Sequence, residues 1–364
     1  MTRPHLAVVG NPGNRRVTLL QDAAARNGIP APRVVSWRQV LAEGGARFDP
    51  DELVRLDSPG EDPEVDALLR GPGDPTRIAG GPRWYASLLA AAGTLRGGRR
   101  LTDPDDLAVL FDKRRCHGVL AAGGVPVPTS PTSGGGAPVP LDWPEVRELA
   151  AAAGLRRFFV KPAHGSSAAG VVAVETAPGG RVQARSSVEI AADGVYNSLR
   201  VRRLTGEAEV GALVDALAGE LLHIEAWLPK PSSRGRAADL RIVVVAGRAT
   251  HAVLRTSAHP MTNLHLGGQR GDLDTARAGF ESAGYGWDNA LAVAERAAAR
   301  FPRTLCVGVD LLPAANWRGA AVGEVNAFGD LLPGLSGLPG RADGLDTYSA
   351  QLAAIVEWTG HAAA

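Results

Sequence analysis

The chain has 364 residues, 45% of them hydrophobic, and so exceeds the roughly 100–200 residues of one usual domain, which excludes a small single-core module. Its 39 lysines and arginines offset 38 acids, and the net charge of +1 excludes a global field favouring nucleic acid or an anionic membrane. Cys116 and Cys306 lie far apart without CxxC spacing, which excludes a cysteine zinc site or redox pair and fits a reduced, cytoplasmic setting. Met1-Thr2-Arg3-Pro4-His5 leads into an apolar run ending at Val9, too short for a signal-peptide core or a membrane span.

Residues 6–10 read as a buried strand, 15–27 as a helix closed by Gly28, and 33–37 as a second strand, a βαβ opening. Apolar stretches at 53–56 and 65–69 continue the alternation and favour a small parallel α/β lobe. Asp103 is placed to cap a helix running to Leu120. Gly123-Gly124-Val125-Pro126-Val127-Pro128-Thr129 then leaves it extended, because each proline biases its predecessor away from helix. Residues 130–140, rich in Ser, Gly and Pro, read as a plain surface connector before a helix at 144–153. Strand signals follow at 158–161, 170–175, 223–228, 240–246 and 250–256, the last two forming a hairpin at Ala246-Gly247. Ala290, Val293, Ala294, Ala297, Ala298 and Phe301 recur at helical spacing and mark a core-facing helix over 288–301. A strand pair at 305–312 and 320–325 and a helix at 345–358 end the series. The expected architecture is α/β followed by antiparallel α+β, without a fixed-period repeat.

Polar residues that interrupt apolar strands carry the chemistry. Glu324 and Asn326 are two apart, so a strand sends both to one face, and a hairpin partner brings Asp310 beside them. Two carboxylates and an amide oxygen suit Mg²⁺ shared with substrate phosphates; the competing reading leaves them on a sheet rim and a turn. Lys161 ends a strand before Pro162-Ala163-His164-Gly165-Ser166-Ser167-Ala168-Ala169-Gly170, whose small residues let backbone N–H groups approach a phosphate. This is neither GxxxxGK(S/T) nor GxGxxG opening a helix, and a Gly/Ser β-turn is its alternative. Lys113 is a further cation on a predicted helix, with a solvated charged face as the alternative. His223-Ile224-Glu225-Ala226-Trp227-Leu228-Pro229, a loop at 230–238 and Asp239-Leu240-Arg241 offer a strand edge for adenine. Arg255 and Asn263-Leu264-His265-Leu266-Gly267-Gly268 cluster donors where a glycine pair permits close approach.

In their order, these five pieces resemble the ATP-grasp superfamily, especially its glutathione synthetase and ribosomal-protein glutamate ligase branches, over Asp112 to Pro333. The resemblance implies a Rossmann-like pre-ATP-grasp lobe over residues 1–101. It implies a two-lobed ATP-grasp domain over 102–364, divided into 102–228 and 229–364, the second holding the metal site and the C-terminal helix. It implies that Lys113 and Lys161 contact ATP, that Gly165, Ser166, Ser167 and Gly170 belong to the mobile phosphate-covering loop, and that Glu225, Ala226, Trp227 and Leu228 form the adenine hinge. Asp239 falls on the ribose-side acid. Asp310, Glu324 and Asn326 fall on the ligands of Mg²⁺, for which Mn²⁺ can substitute, and Arg255 and Asn263 line the reaction centre.

The activity implied is ATP-dependent joining of a carboxylate to an amine through an acyl phosphate, on small-molecule or peptide substrates, without nucleic acid or membrane. A small-molecule kinase using the same site, or a nucleotide-binding protein without turnover, are the rival readings. Two residues depart from the family pattern. Ala169 replaces a second glycine and Met261 an arginine, leaving Arg255 or Arg270 to compensate or the substrate to differ. His265 is read as an acid/base or, in preference, as a hydrogen-bonded structural histidine, and Trp227 as a wall of the adenine pocket. The identity of the substrates and the oligomeric state are not encoded in these motifs.

Overall fold

The computed structural model describes residues 5–329 and 333–361, with side chains except those of His265 and residues 356–361. Three main sheets organise the chain. The first sets Arg33–Val35, His5–Val9, Glu52–Leu56 and Arg99–Arg100 side by side, all parallel. Parallel neighbours need crossovers, and helices supply them. Asn14 caps the helix Arg15–Arg26 through the Arg16 amide, and Gly28, at φ 64°, turns the chain out of it. The second strand stops at Val35, short of the expected Trp37. Ser36 accepts from the Gln39 amide and starts the helix Trp37–Glu43, so Trp37 is buried from a helix.

The second sheet is antiparallel, in the order Gly194–Thr205, Arg181–Ala191, Val172–Ala177, Arg157–Pro162 and Leu222–Ala226. Helices Trp143–Ala152 and Glu207–Leu217 cover it, with Val146, Val210, Leu213 and Leu217 in one core with Phe158, Val160, Val172 and Ile224. The third sheet runs Gln269–Arg270, Arg248–Ser257, Arg236–Val245, Cys306–Pro313 and Ala320–Asn326, also antiparallel. Its long hairpin turns at Ala246 and Gly247, whose φ values of 48° and 78° suit the tight primed turn that the sequence predicts.

Alternation along this sheet places the site. Leu240, Ile242 and Val244 face the helix Trp287–Ala298, where Ala290, Val293, Ala294 and Ala297 are all fully buried as their spacing predicts. On the other face, Val243 and Val245 pack with Tyr348 and Leu352 of the helix Thr347–His361. Asp239 and Arg241 lie further along that same parity, beyond the apolar cover. Among the described residues no helix is long and apolar enough to cross a membrane.

The helix expected from Asp103 to Leu120 is two helices, Pro104–Leu110 and Lys113–Ala122. The Asp112 carboxylate accepts from the amides of Arg114 and Arg115, capping a fresh helix start. Lys113 thereby becomes a first helical residue, its amide tied to the Ala163 carbonyl at 2.9 Å beside the loop that follows Lys161.

Candidate active site

A single cleft between the second and third sheets is lined by Lys113, Lys161, Gly165, Ser166, Ser167, Glu225, Ala226, Leu228, Asp239, Arg255, Asn263, Asp310, Glu324 and Asn326. These are the sequence-derived candidates except Gly170 and Trp227. Gly170 sits behind the loop at φ 74°, where a Cβ would come within 2.4 Å of Pro162, so glycine is required for the turn itself. The other left-handed residues of this loop are Ser167 and Ala168, at φ 53° and 60°. Trp227 stands just outside this lining: its ring packs 5.5 Å from the lining residue Phe159 with the Arg157 guanidinium 4.0 Å over it.

Register builds the charged floor of the cleft. Across the third sheet Arg255 lies opposite Asp239, Arg241 opposite Asp310, and Asp310 opposite Glu324. Directly opposed residues share a face, so two neighbouring rows line it, Arg255 with Asp239 and Arg241 with the adjacent acids Asp310 and Glu324. Arg255 Nε donates to Asp239 at 2.9 Å and its Nη2 lies 3.2 Å from Asp310. Arg241 also pairs with Asp310, and Lys230 Nζ donates to Asp239 at 2.8 Å. Thr262 donates a hydroxyl bond to Asp239 as well. Burial opposes ionisation of Asp239, but Arg255 and Lys230 outweigh it and hold the carboxyl well below its usual range. Arg241 and Arg255 do the same for Asp310 against its burial.

The roof comes from the second sheet and the helix start. Lys161 forms an ion pair with Glu225, and Lys113 Nζ donates to the Gly165 carbonyl at 2.6 Å while lying 3.1 Å from Glu324. Burial would raise the Glu225 carboxyl, yet Lys161, helped by His223, overrides it and lowers the group from 4.5 to about 2. A depressed carboxyl stabilises the fold above its unfolded value and loses that contribution as pH falls through the folded one. Stability is therefore expected to drop from about pH 4.5 towards pH 2 more steeply than in Glu225→Gln. Denaturant midpoints measured against pH check this, and equal slopes in both proteins would remove the Lys161–Glu225 pair as the cause.

Several partners lay beyond the motifs. Lys230, inside a stretch read as a loop, and Thr262 meet Asp239, and Arg241 meets Asp310. Asp239 itself spends its oxygens on cations and a hydroxyl, so it acts in the structure as an organiser of charge. Met261, only 6% exposed, sits in an apolar cluster with Phe159, Val171 and Leu266 and still lines the cleft. The His265 side chain lies outside the described residues.

The donor set fits a hard cation. Glu324 and Asn326 leave one strand on the same face, Asp310 opposes Glu324, and Asn326 donates its Nδ2 to the Gly308 carbonyl at 3.2 Å, leaving Oδ1 as its acceptor atom. Among the described residues no group of three or more His, Cys, Asp or Glu converges as a ready-made cage. Two carboxylates and an amide instead suit an ion that shares its ligands with a bound molecule.

No protein-family model and no curated protein sequence matches the chain. Solved structures do. A D-cycloserine synthetase, DcsG, is 19% identical with a TM-score of 0.54, over 97% of this chain and 98% of that one. The ATP-grasp ligase PsnB, complexed with a minimal precursor, is 17% identical with a TM-score of 0.53, over 98% and 100%. The D-alanine–D-alanine ligase of Bacillus anthracis is 11% identical with a TM-score of 0.51, over 99% and 98%. The likeness extends over nearly the whole of each chain: this chain has the ATP-grasp fold.

Proposed function

We propose that the chain is an ATP-dependent carboxylate–amine ligase acting through an acyl phosphate. The observation that supports this most directly is the meeting of Lys113 and Lys161 with Asp310, Glu324 and Asn326 in one cleft. The fold neighbours are a synthetase and ligases, and one of them is described with Mg and ADP. Residues 1–101 form the Rossmann-like lobe that precedes the ATP-grasp domain, and 102–228 and 229–364 form its two halves. Asp310, Glu324 and Asn326 would hold Mg²⁺, or Mn²⁺ on the same oxygens. When bound, the ion would neutralise phosphate charge and orient the γ-phosphoryl group.

The chain's own groups then have distinct tasks. The backbone at Glu225, Ala226, Trp227 and Leu228 lies along adenine, and the small-residue loop with Gly165, Ser166, Ser167 and Gly170 covers the phosphates. Lys113, Lys161 and Arg255 are held by acids at fixed positions, so little reorganisation precedes charge stabilisation at the phosphates. A substrate carboxylate oxygen attacks the γ-phosphorus and ADP leaves. An amine next attacks the acyl carbon, and phosphate departs with the oxygen that bound it. Asn263 lines this centre, and a closed loop keeps water from the acyl phosphate. No enzyme nucleophile is used. The substrates are small molecules or peptides, and two buried cysteines outside any disulfide suit a cytoplasmic setting.

ATP binding tests the nucleotide half of this reading. Lys161→Ala and Lys113→Ala are each expected to weaken MgATP binding by about 1.5–3 kcal/mol, the value of a charge-assisted hydrogen bond. Calorimetric titration with folding verified reads the effect. Unchanged affinity in both variants would count against the lysine roles, and turnover across a panel of amino acids, peptides and carboxylic acids identifies the substrate class.

A further inference from the structure

The segment 128–138, a connector by composition, bonds to the helix that carries Lys113 and to the strand Leu222–Ala226, which pairs with the strand of Lys161. On one side it is clamped to the helix Lys113–Ala122. Arg114 Nε donates to the Thr132 carbonyl at 3.2 Å, and its Nη2 to the Pro138 carbonyl at 3.0 Å. His117 Nε2 lies 2.7 Å from the Pro128 carbonyl and its Nδ1 lies 2.8 Å from the Ser133 hydroxyl. A carbonyl only accepts, so Nε2 carries the proton and Nδ1 takes the serine's.

On its other side the segment reaches the strand Leu222–Ala226. Thr129 accepts from the Ala226 amide at 2.8 Å, and the Ile224 amide donates to the Thr132 hydroxyl oxygen at 2.8 Å. Thr132 and His223 are 0% and 1% exposed, and Thr132 Oγ1 lies 3.0 Å from His223 Nδ1. His223 Nε2 lies 3.5 Å from Glu225 Oε2, and Glu225 Oε1 pairs with Lys161. With Glu225 ionised and His223 neutral, one proton arrangement serves all three groups, the Ile224 carbonyl at 3.4 Å being a longer second acceptor for the Thr132 hydroxyl. Glu225 accepts, so His223 carries its proton on Nε2, and its Nδ1 receives the Thr132 hydroxyl proton. Antiparallel register places His223 directly opposite Lys161, and Glu225, two residues on, shares that face.

We infer that Thr132 and His223 are positioning residues for Lys161, and that the segment 128–138 is a strap tying the Lys113 helix to the strand Leu222–Ala226 beside Lys161. The strap sets where both ammonium groups stand relative to one another. The inference rests on the nucleotide-binding reading of Lys161. A buried path from hydroxyl through imidazole to carboxylate orients Glu225, and that carboxylate orients Lys161. Simple packing would ask only for shape at Thr132 and His223. The relay asks for a hydroxyl donor and an Nε2 donor.

Calorimetric MgATP binding to the full chain, with thermal unfolding recorded alongside, tests the relay. His223→Leu and Thr132→Val are each expected to weaken binding about tenfold, the equivalent of one hydrogen bond to a charged group. His223→Gln, which keeps a side-chain N–H, is expected to recover most of it. In a Lys161→Ala background His223→Leu and Thr132→Val should change affinity little further, because the relay acts through that lysine. Equal losses with and without Lys161, or no loss in a folded Thr132→Val protein, would overturn the inference. Wild-type protein that binds no MgATP would overturn the nucleotide reading and the inference together. Wild-type binding with no coupling to Lys161 would overturn the inference alone.

Discussion

Asp239→Ala is expected to destabilise the protein by about 3–5 kcal/mol, the usual cost of stripping one partner from a buried ion pair. Asp239 is 2% exposed and holds Arg255, Lys230 and Thr262 at once. Its loss leaves Lys230 with the Pro260 carbonyl and the Thr262 hydroxyl and Arg255 with Asp310, too little negative charge for two desolvated cations. Asp239→Asn should cost less, because the amide oxygen still accepts. Denaturant unfolding at neutral pH measures both, and a loss below about 1 kcal/mol for the alanine variant would contradict a buried organising role.

Glu324→Gln is expected to do the reverse, lowering kcat/KM by about 10²–10³-fold, in the range for one preorganised electrostatic group, with little change in stability. The difference follows from burial. The Glu324 side chain is 32% exposed and its ion pair with Lys113 is at the cleft wall, so losing the charge strands nothing in the interior. What it removes is one carboxylate of the proposed cation site and the anchor that holds Lys113 near Gly165. Steady-state ATP turnover with the substrates of the panel, compared with unfolding of the same variant, separates the two effects. Normal turnover would detach Glu324 from the chemistry.

Much of the floor of the cleft was legible because strands carry their own geometry. Period-two spacing put Glu324 and Asn326 on one face, and the apolar runs around them signalled a hairpin partner for Asp310, which the register provides. The helix stripe from Ala290 to Ala298 was equally readable. The hairpin Arg181–Ala191 and Gly194–Thr205 was not, because its outer strand is largely solvent-facing and arginine-rich and shows no apolar alternation. The helix Glu207–Leu217 did carry the spacing, in Val210, Leu213, Val214 and Leu217, and lacked a side-chain cap to announce its start.

Contacts set by the tertiary fold were beyond local patterns. Lys230 reads as loop charge until the third sheet brings Asp239 to it, and Thr132 reads as part of a connector until His223 stands 3.0 Å away. The split of the helix at Asp112 shows the opposite case. Asp112 two residues before Arg114 is a local capping signal, hidden inside a longer helical stretch that began at another aspartate. Lys113 owes its place in the cleft to that break.

An acyl phosphate made in the cleft would betray itself by the fate of one oxygen. The protein is given ATP, Mg²⁺, hydroxylamine as a general amine, and amino acids, peptides and carboxylic acids labelled with heavy oxygen in the carboxylate. Products and inorganic phosphate are then read by mass spectrometry. The expected products are a hydroxamate, ADP in equal amount, and one labelled oxygen in each phosphate released, because the oxygen joined to phosphorus leaves with it. ADP accompanied by a stable phosphorylated alcohol, with neither hydroxamate nor label in free phosphate, would contradict it.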